Sequence, residues 1–240
     1  MLIDIHVHNE GNPGAMFEHA KAQGMDGLAF AGSPDFADVD AVRAAGAAAG
    51  LTALCGCSVA TNRGVLLCFI PDLESARSAG NWLGVDADKL PAATDVITAV
   101  EALGGVVIAA HPYYKQVPAP MGDHIFSLQG LHACEVASPL TTGMQRDLAI
   151  EASETLQLTC VGGSAARTEE HVGMAATYFP EPVASEADLV RQIRERRCFA
   201  VMSLEHLPTD ARPSQPARPR PPQRNRRRGR RPPPRREPQE

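Results

Sequence analysis

Short apolar runs alternate with helical stretches along the first 200 residues, and this alternation constrains the fold more than any other feature. Residues 106–110 are five consecutive apolar residues, a pattern typical of parallel strands that are buried on both faces. Asn12 followed by Pro13 marks the beginning of a first helix, and Gly24 marks its end. Repeated β-then-α units of this kind predict an α/β fold with a parallel sheet or barrel.

The predicted strands place several polar residues at or just beyond their carboxyl ends. Strands are predicted at residues 2–7, 28–31, 51–57, 65–70, 106–110, 132–137, 158–161 and 198–202, and helices at 13–23, 36–49, 72–80, 93–103, 143–156 and 186–196. In parallel α/β folds the chemistry collects at the carboxyl ends of the strands. The polar residues found there are His8, Ser33, Ser58, His111, Glu135 and Ser164. We therefore expect the functional site at this edge.

The first strand carries the pattern D-x-H-x-H, formed by Asp4, His6 and His8. Side chains two residues apart on a strand point to the same face, so the pattern predicts one carboxylate and two imidazoles together. The apolar residues between them are then expected on the opposite face. Neutral imidazole is a common protein ligand for zinc and similar metals. A polar strand end on which two histidines happen to alternate is the competing interpretation, and both stay open at this point.

Charge and composition divide the chain near residue 205. The last thirty residues contain eleven Arg, nine Pro and two Glu, whereas the remainder holds 12 Lys and Arg against 26 Asp and Glu. A segment of this kind cannot bury a core and is expected to be disordered, with polyproline II character. The sequence therefore predicts an acidic domain at residues 1–205 and a disordered basic Arg/Pro-rich tail at 206–240.

The tail contains an arginine-rich run that is typical of segments that bind RNA or another polyanion. Clustered arginines give affinity through phosphate contacts and counterion release, without reading bases. Docking on the acidic domain and a passive extension are the alternatives that the sequence leaves open. The candidate nucleic-acid-binding residues are Arg224, Arg226, Arg227, Arg228, Arg230 and Arg231.

Three absences shape the expected cellular context. The chain has no run of about 18 apolar residues, so no membrane span is expected. Its first residues lack the basic and apolar regions of a secretory signal. Cys55 and Cys57 have neither redox nor zinc-knuckle spacing, which favours buried reduced thiols. We expect a cytoplasmic protein.

Several motifs resemble those of the PHP (polymerase and histidinol phosphatase) family, in particular its short stand-alone metal-dependent phosphoesterases. The D-x-H-x-H pattern is similar to the family's opening motif, residues 24–30 to the stretch before T-D-H, and residues 110–112 to A-H-P. Residues 162–164 begin like G-G-S-D-A-H, and residues 172–179 continue that motif. The resemblance covers roughly residues 1–203. It implies a PHP-type distorted (β/α)7 barrel with up to three metal ions at the strand ends.

The resemblance also shows which of the family's metal ligands are replaced. Ser33 stands in place of a His, Ser58 of a bridging Glu, Val65 of a His, and Ala165 and Arg167 of an Asp and a His. The loop of Asn12, Pro13 and Gly14 offers no ligand after His8. The retained candidates are His6, His8 and His111, with Glu135 as a helper.

Counting ligands limits the chemistry that can be expected. Hydrolysis by several metals needs carboxylates that bridge the cations and offset their repulsion. We therefore expect at most one divalent metal (Zn, Mn or Fe), and a pocket without metal stays open. Two functions follow: a non-catalytic or impaired PHP protein with an anion-binding pocket, or, as the alternative, an active phosphoesterase for a small phosphate monoester or nucleotide.

Cations near the strand ends suggest a small phosphorylated or anionic ligand. Arg167, Arg63 and Lys115 lie in loops after neighbouring strands, and guanidinium binds phosphate bidentately. The alternative for Arg167 is a solvated loop residue beside a helix start. His171 is expected to be a surface residue, whereas His124 is a candidate to approach the site from its loop.

Overall fold

The computed structural model describes residues 1–78 and 90–202, and the strands of this part form a single nine-stranded sheet. Apolar residues fill almost every strand position, which explains why the strands are buried on both faces. The strands are β1 (Leu2–Val7), β2 (Gly27–Gly32), β3 (Thr52–Thr61), β4 (Gly64–Phe69), β5 (Val106–Ala110), β6 (Ala133–Ala137), β7 (Thr159–Gly162), β8 (Ala176–Tyr178) and β9 (Phe199–Val201).

Six α-helices and two 3₁₀ turns connect the strands of the described part. The helices are α1 (Pro13–Ala22), α2 (Val39–Ala49), α3 (Leu73–Ser78), α4 (Ala93–Ala102), α5 (Gly143–Leu156) and α6 (Glu186–Arg194), and the turns span Gly122–Ser127 and Glu169–His171. The Asn12 side chain accepts the backbone N–H groups of Gly14 and Ala15 and so caps α1. Gly50 ends α2 in the left-handed conformation, with φ +72°. The six predicted helices are therefore present, although residues 79–80 of the third lie outside the described residues.

The sheet curves into a barrel that is nearly closed. Its order is β7-β6-β5-β4-β3-β2-β1-β8-β9, with parallel pairing in β1–β2–β3 and β5–β6–β7. The hairpin strand β4 pairs antiparallel with both β3 and β5. Closure is made by the Thr177 hydroxyl, which donates to the carbonyl of Gly162 at 2.8 Å and accepts its N–H at 2.9 Å. The predicted α/β barrel is confirmed, with nine strands in the described sheet rather than seven.

Two apolar clusters hold the barrel and its helices together. One, here called the α6 cluster, joins Ile3 and Ile5 of β1 to Leu189 and Ile193 of α6. The other, the helix-layer cluster, packs β-strand residues such as Phe30 against the helices on the outside of the sheet. Burial of a large apolar side chain contributes about 1.5–3 kcal/mol, so these clusters are the main source of stability.

The cysteines agree with the expectation of reduced thiols. All six are free, and Cys160 is the least buried of them. Cys57 and Cys68 face each other across the β3–β4 pair. None of the helices in the described part is long and apolar enough to cross a membrane.

The predicted tail lies outside the described residues. This applies to the boundary at residue 205, to residues 206–240 and to all six arginines proposed to bind nucleic acid. Their roles stay predictions.

Candidate metal and anion site

A cavity of about 860 Å³ opens at the carboxyl ends of the strands, where the sequence predicts the site. His6 and His8 from β1, His111 after β5 and Ser164 after β7 line it, together with loop residues from β3 to β7. The dimensions are those of a pocket for a small organic molecule.

Glu135 connects two of these histidines at the base of the cavity. Its Oε1 lies 2.9 Å from Nδ1 of His6, and its Oε2 accepts the backbone N–H of His111 at 2.9 Å. His6 and Glu135 are both buried, with 1 % of each residue exposed. Because the carboxylate accepts the Nδ1 proton, it fixes the tautomer in which Nε2 of His6 carries a lone pair.

Nε2 of His6 is the atom that most strongly indicates a bound ion or ligand in this cavity. Nε2 of His6 is buried, and no hydrogen-bond partner for it exists among the described residues. A buried polar atom without a partner costs about 1–3 kcal/mol, so such atoms are rare unless a water or an ion satisfies them. A divalent transition metal fits this position, because an imidazole oriented by a carboxylate is a common metal ligand.

Two further imidazoles surround His6. The ring of His8 lies 5.0 Å from the ring of His6, and the ring of His111 stacks on His6 at 5.7 Å. Single ligand atoms of His6, His111 and Glu135 all lie within 4.8 Å of one another. His111 has φ +29°, a conformation that an L-residue adopts only when its surroundings impose it. The three histidines that the sequence indicated are therefore brought together.

Burial keeps these histidines neutral near pH 7. Desolvation lowers the pKa of His6 to about 4 and that of His8 to about 3, and it also lowers the pKa of His111. The positive charge of Arg167 contributes in the same direction at His6 and His8. Desolvation raises the pKa of Glu135 to about 7. Neutral imidazole is the form that binds metal, so the cluster is ready to act as a ligand set without losing protons.

Glu135 is better placed to position a ligand than to be one. Both carboxylate oxygens already accept hydrogen bonds, one from the His6 ring and one from the His111 backbone. The imidazoles placed to hold a metal are therefore His6 and His111, and the ring of His8, which is not in the 4.8 Å group, lies 5.0 Å from the ring of His6. Glu135, predicted as a helper, acts on the orientation of His6.

Asp4 lies close to His6, where its negative charge raises the pKa of the imidazole, but it does not line the cavity. The β1–β2 register shifts between Asp4 and Val7, so the strict alternation along β1 is broken. Ile3 and Ile5 consequently lie in the α6 cluster, whereas Val7 lies in the helix-layer cluster. The Asp4 carboxylate instead accepts backbone N–H groups of His6, Ser164 and Gly173 at 3.2, 2.9 and 2.9 Å. These hydrogen bonds link β1 to the loop after β7.

Gly163 makes room for the His6–Glu135 pair. A Cβ atom at this position would lie 2.5 Å from Cβ of His6, 2.9 Å from its backbone nitrogen and 2.9 Å from Oε1 of Glu135. All three distances are below van der Waals contact. The close approach explains why the G-G-S sequence has a glycine at this position.

The loop after β7 supplies the rim of the cavity. Arg167 forms an ion pair with Glu10, and Thr168 contacts Nδ1 of His171 at 3.0 Å. Ala165 has φ +52°, the left-handed region that alanine rarely adopts. Arg167 and His171 both line the cavity, so His171 is exposed as predicted and lies at the rim of the cavity.

The other two predicted anion-binding cations are not among the residues that line the cavity. The Arg63 guanidinium donates to the Ser127 hydroxyl at 2.7 Å, beside the β3–β4 turn. Lys115 is exposed, and neither it nor Arg63 nor His124 lines the cavity. Of the predicted cations Arg167 lines the cavity, whereas Lys115 is exposed between the lining residues Tyr114 and Gln116.

Four of the five replaced ligand positions do line the cavity. These are Ser58, Val65, Ala165 and Arg167, whereas Ser33 lines a separate small pocket beside Gly32. Sequence reasoning did not identify Tyr114, Leu140 or Thr168 as lining residues. They lie in irregular loops without a periodic pattern, and the only available signal was their position shortly after a predicted strand.

Comparisons with known proteins agree with this geometry. A family model described as PHP-associated matches residues 143–198, which include α5, β7 and the Arg167 loop. A search of curated proteins found no match.

Solved structures share the fold at low sequence identity. PsfC from Pseudomonas syringae aligns with a TM-score of 0.62 and 22 % identity, over 84 % of this chain and 91 % of that one. A protein named as a metal-dependent phosphoesterase from Bifidobacterium adolescentis aligns at 0.58 and 19 %, over 81 % and 96 %. An amidohydrolase from Chromobacterium violaceum, solved with bound sulfate and no metal, aligns at 0.55 and 18 %, over 81 % and 96 %.

Fold and site together define a β/α-barrel protein with a histidine-lined pocket at the strand ends. The PHP-associated match falls on the segment that closes this barrel and carries the Arg167 loop. The chain shares the fold of these structures, and its residues 143–198 match the PHP-associated family model.

Proposed function

We propose that this protein binds one divalent transition metal and a small anionic ligand in the strand-end cavity, and has lost the multi-metal hydrolysis of phosphoesters. The observation that carries the proposal is the orphaned Nε2 of His6, buried beside two further imidazoles. His6, His8 and His111 would hold the metal, which is zinc, manganese or iron. When bound, such a cation polarises an oxygen atom of the ligand.

The composition of the cavity supports a single metal. Among the described residues that line it there is no carboxylate, and the buried Glu135 below it is engaged with both oxygens. A second cation would lie close to the first without an anionic bridge, and Arg167 adds a further positive charge at the rim. The guanidinium of Arg167 would bind the anion, in exchange for the carboxylate of Glu10.

Elemental analysis of the purified full chain tests the proposal. We expect one zinc, manganese or iron per chain, and loss of that metal in His6→Ala. His124→Gln is the matched control, because His124 is exposed and lies outside the cavity. Two or more tightly bound metals per chain would contradict the single site. A chain that takes up no metal after incubation with Zn²⁺ or Mn²⁺ would contradict the metal site itself.

An active phosphoesterase is the second candidate. Three neutral imidazoles can leave a coordination position open, which is the arrangement of mononuclear hydrolytic sites. Hydrolysis of 4-nitrophenyl phosphate by the metal-loaded protein distinguishes the two. Turnover that disappears in His6→Ala would establish the phosphoesterase, whereas our proposal expects no turnover that depends on His6.

The basic tail, residues 206–240, is proposed to bind RNA, and a cytoplasmic location is proposed with it. Eleven arginines without an interleaved aromatic residue favour contacts with phosphates rather than stacked bases. Affinity for single-stranded RNA should fall steeply with salt and be lost in a chain that ends at residue 205. Equal affinity of the two chains would contradict this role.

A further inference from the structure

The polar and apolar residues of the cavity come largely from different parts of the barrel. β1 and the loop after β7 lie side by side, because His8 donates its N–H to the carbonyl of Ala166 at 2.8 Å. They contribute the polar lining residues His6, His8, Ser164, Arg167, Thr168 and His171, and beside them the apolar residues Ala165 and Met174. The histidines also carry the proposed metal. The charged part of a ligand therefore belongs on this side.

The opposite side is an apolar wall. The strands β3, β4, β5 and β6 are consecutive in the sheet, so the end of β3, the start of the antiparallel β4 and the loops after β5 and β6 form one continuous arc at the cavity. Within this arc, Ser58, Gln116 and the floor residue His111 are the polar members that line the cavity. The largely apolar members, here called the wall, are Ala60, Val65, Tyr114, Val117, Pro118, Pro139 and Leu140.

The wall is held in place before any ligand arrives. The Gln145 side chain donates to the carbonyl of Tyr113 at 2.8 Å, and the N–H of Gly122 donates to the carbonyl of Pro112 at 2.9 Å. These bonds anchor both ends of the loop that carries Tyr114 and Val117. A preformed wall binds an apolar group without a cost for ordering the loop.

Two wall features argue against a polar ligand body. Val65 lies at a position where the PHP motifs that this sequence resembles have a histidine. An aliphatic side chain therefore replaces a potential metal ligand there. Leu140 leaves 39 % of its surface exposed at the opening. Hydroxyl groups of a ligand placed against the aliphatic wall residues, such as Val65 and Leu140, would lose hydrogen bonds to water and gain none from these side chains. The cavity is also much larger than one phosphate group requires.

We propose that the ligand is an organophosphate with an aryl or alkyl body and without a polyol such as a sugar. Its phosphoryl group lies on the side of the histidines and Arg167, and its apolar body packs on the wall. This inference rests on the proposed function, because it takes the anion-binding side from it and adds the chemistry of the rest of the ligand.

Calorimetric titration of the metal-loaded full chain with phosphonates tests the inference, since their C–P bond is not hydrolysed. The probes are phenylphosphonate, butylphosphonate and 3,4-dihydroxybutylphosphonate, which differs from the second by two hydroxyl groups. We expect phenyl- and butylphosphonate to bind roughly ten-fold or more tightly than the dihydroxy compound. Leu140→Ser should reduce this preference several-fold. Met144→Ser is the matched control, because Met144 is 75 % exposed on α5 and lies outside the cavity.

The outcomes separate the two proposals. Equal binding of all three phosphonates, or tighter binding of the dihydroxy compound, would overturn the apolar ligand and leave the metal and anion site intact. Binding of none of them by a metal-loaded chain would overturn anion binding and this inference with it. A preference for the apolar probes that Leu140→Ser leaves unchanged would also overturn the assignment to the wall.

Discussion

Gly163→Ala tests whether the His6–Glu135 pair depends on the close approach of the loop after β7. The added methyl group would lie 2.5 Å from Cβ of His6 and 2.9 Å from both its backbone nitrogen and Oε1 of Glu135. Neither the backbone nor a Cβ atom can move away independently. Glu135 is itself held by the backbone N–H of His111. The methyl group must therefore displace the pair or the loop.

The expected cost follows from two opposing effects. Overpacking of a filled interior destabilises a protein by about 1–3 kcal/mol. The backbone at Gly163 is not in the left-handed region, so alanine would also restrict the unfolded chain and return about 0.4–1 kcal/mol. We expect a net loss of about 1–2 kcal/mol, which corresponds to a decrease in Tm of about 2–8 °C for a domain of this size. Displacement of Glu135, which orients the His6 ring, should weaken metal binding roughly 10- to 100-fold.

Urea denaturation and calorimetric zinc titration of the same preparations measure both quantities. Gly143→Ala provides the control, since nothing lies within 4 Å of a Cβ atom at Gly143. We expect the control to retain wild-type zinc affinity and to be at least as stable as the wild type, since alanine also restricts the unfolded chain at this helix position. Wild-type stability and zinc affinity in Gly163→Ala would refute the reasoning. Loss of stability with unchanged zinc affinity would show that the packing argument holds while the dependence of the metal site on it does not.

Three further changes probe the site at separate positions. Glu135→Gln removes the charge that fixes the His6 tautomer, so zinc affinity should fall about 10- to 100-fold by calorimetry, and an unchanged value would exclude the positioning role. Glu10→Gln frees Arg167 from a competing carboxylate and should tighten phenylphosphonate binding about two- to five-fold, whereas weaker binding would contradict the exchange. Ala165→Gly relieves the left-handed conformation and should stabilise the protein by about 1 kcal/mol in urea denaturation, and destabilisation would contradict that conformation.

The sequence predicted the fold well where local signals agree. The helix from Gly143 to Leu156 has the predicted bounds, because Thr142 and Gln145 form a capping box at its start. Asn12 caps α1 as expected. The strand β8 was missed, because its three residues are too few for a periodic pattern and pair only through the tertiary fold.

The site was predicted in its residue types and not in their roles. Local alternation placed Asp4 beside His6, but the hydrogen bonds that its carboxylate accepts from Ser164 and Gly173 depend on the tertiary fold and give it a structural role. The contact between His6 and Glu135 joins residues 129 positions apart, so no local pattern indicates it. The apolar wall was not predicted either. Much of it lies in loops, whose conformation depends on contacts with residues far away in the sequence, such as the hydrogen bond from Gln145 to Tyr113.

The Asp4 carboxylate has a consequence for the order of events during synthesis and folding. It receives N–H groups from Ser164 and Gly173, which are translated 160 and 169 residues after it. The Asp4 carboxylate of β1 therefore cannot form these hydrogen bonds until most of the domain has left the ribosome. Contacts of such sequence separation form late and slow folding. His6 and His8 are thus among the first residues made, and because His6 is oriented by Glu135, 129 residues later, we expect metal loading to follow barrel closure.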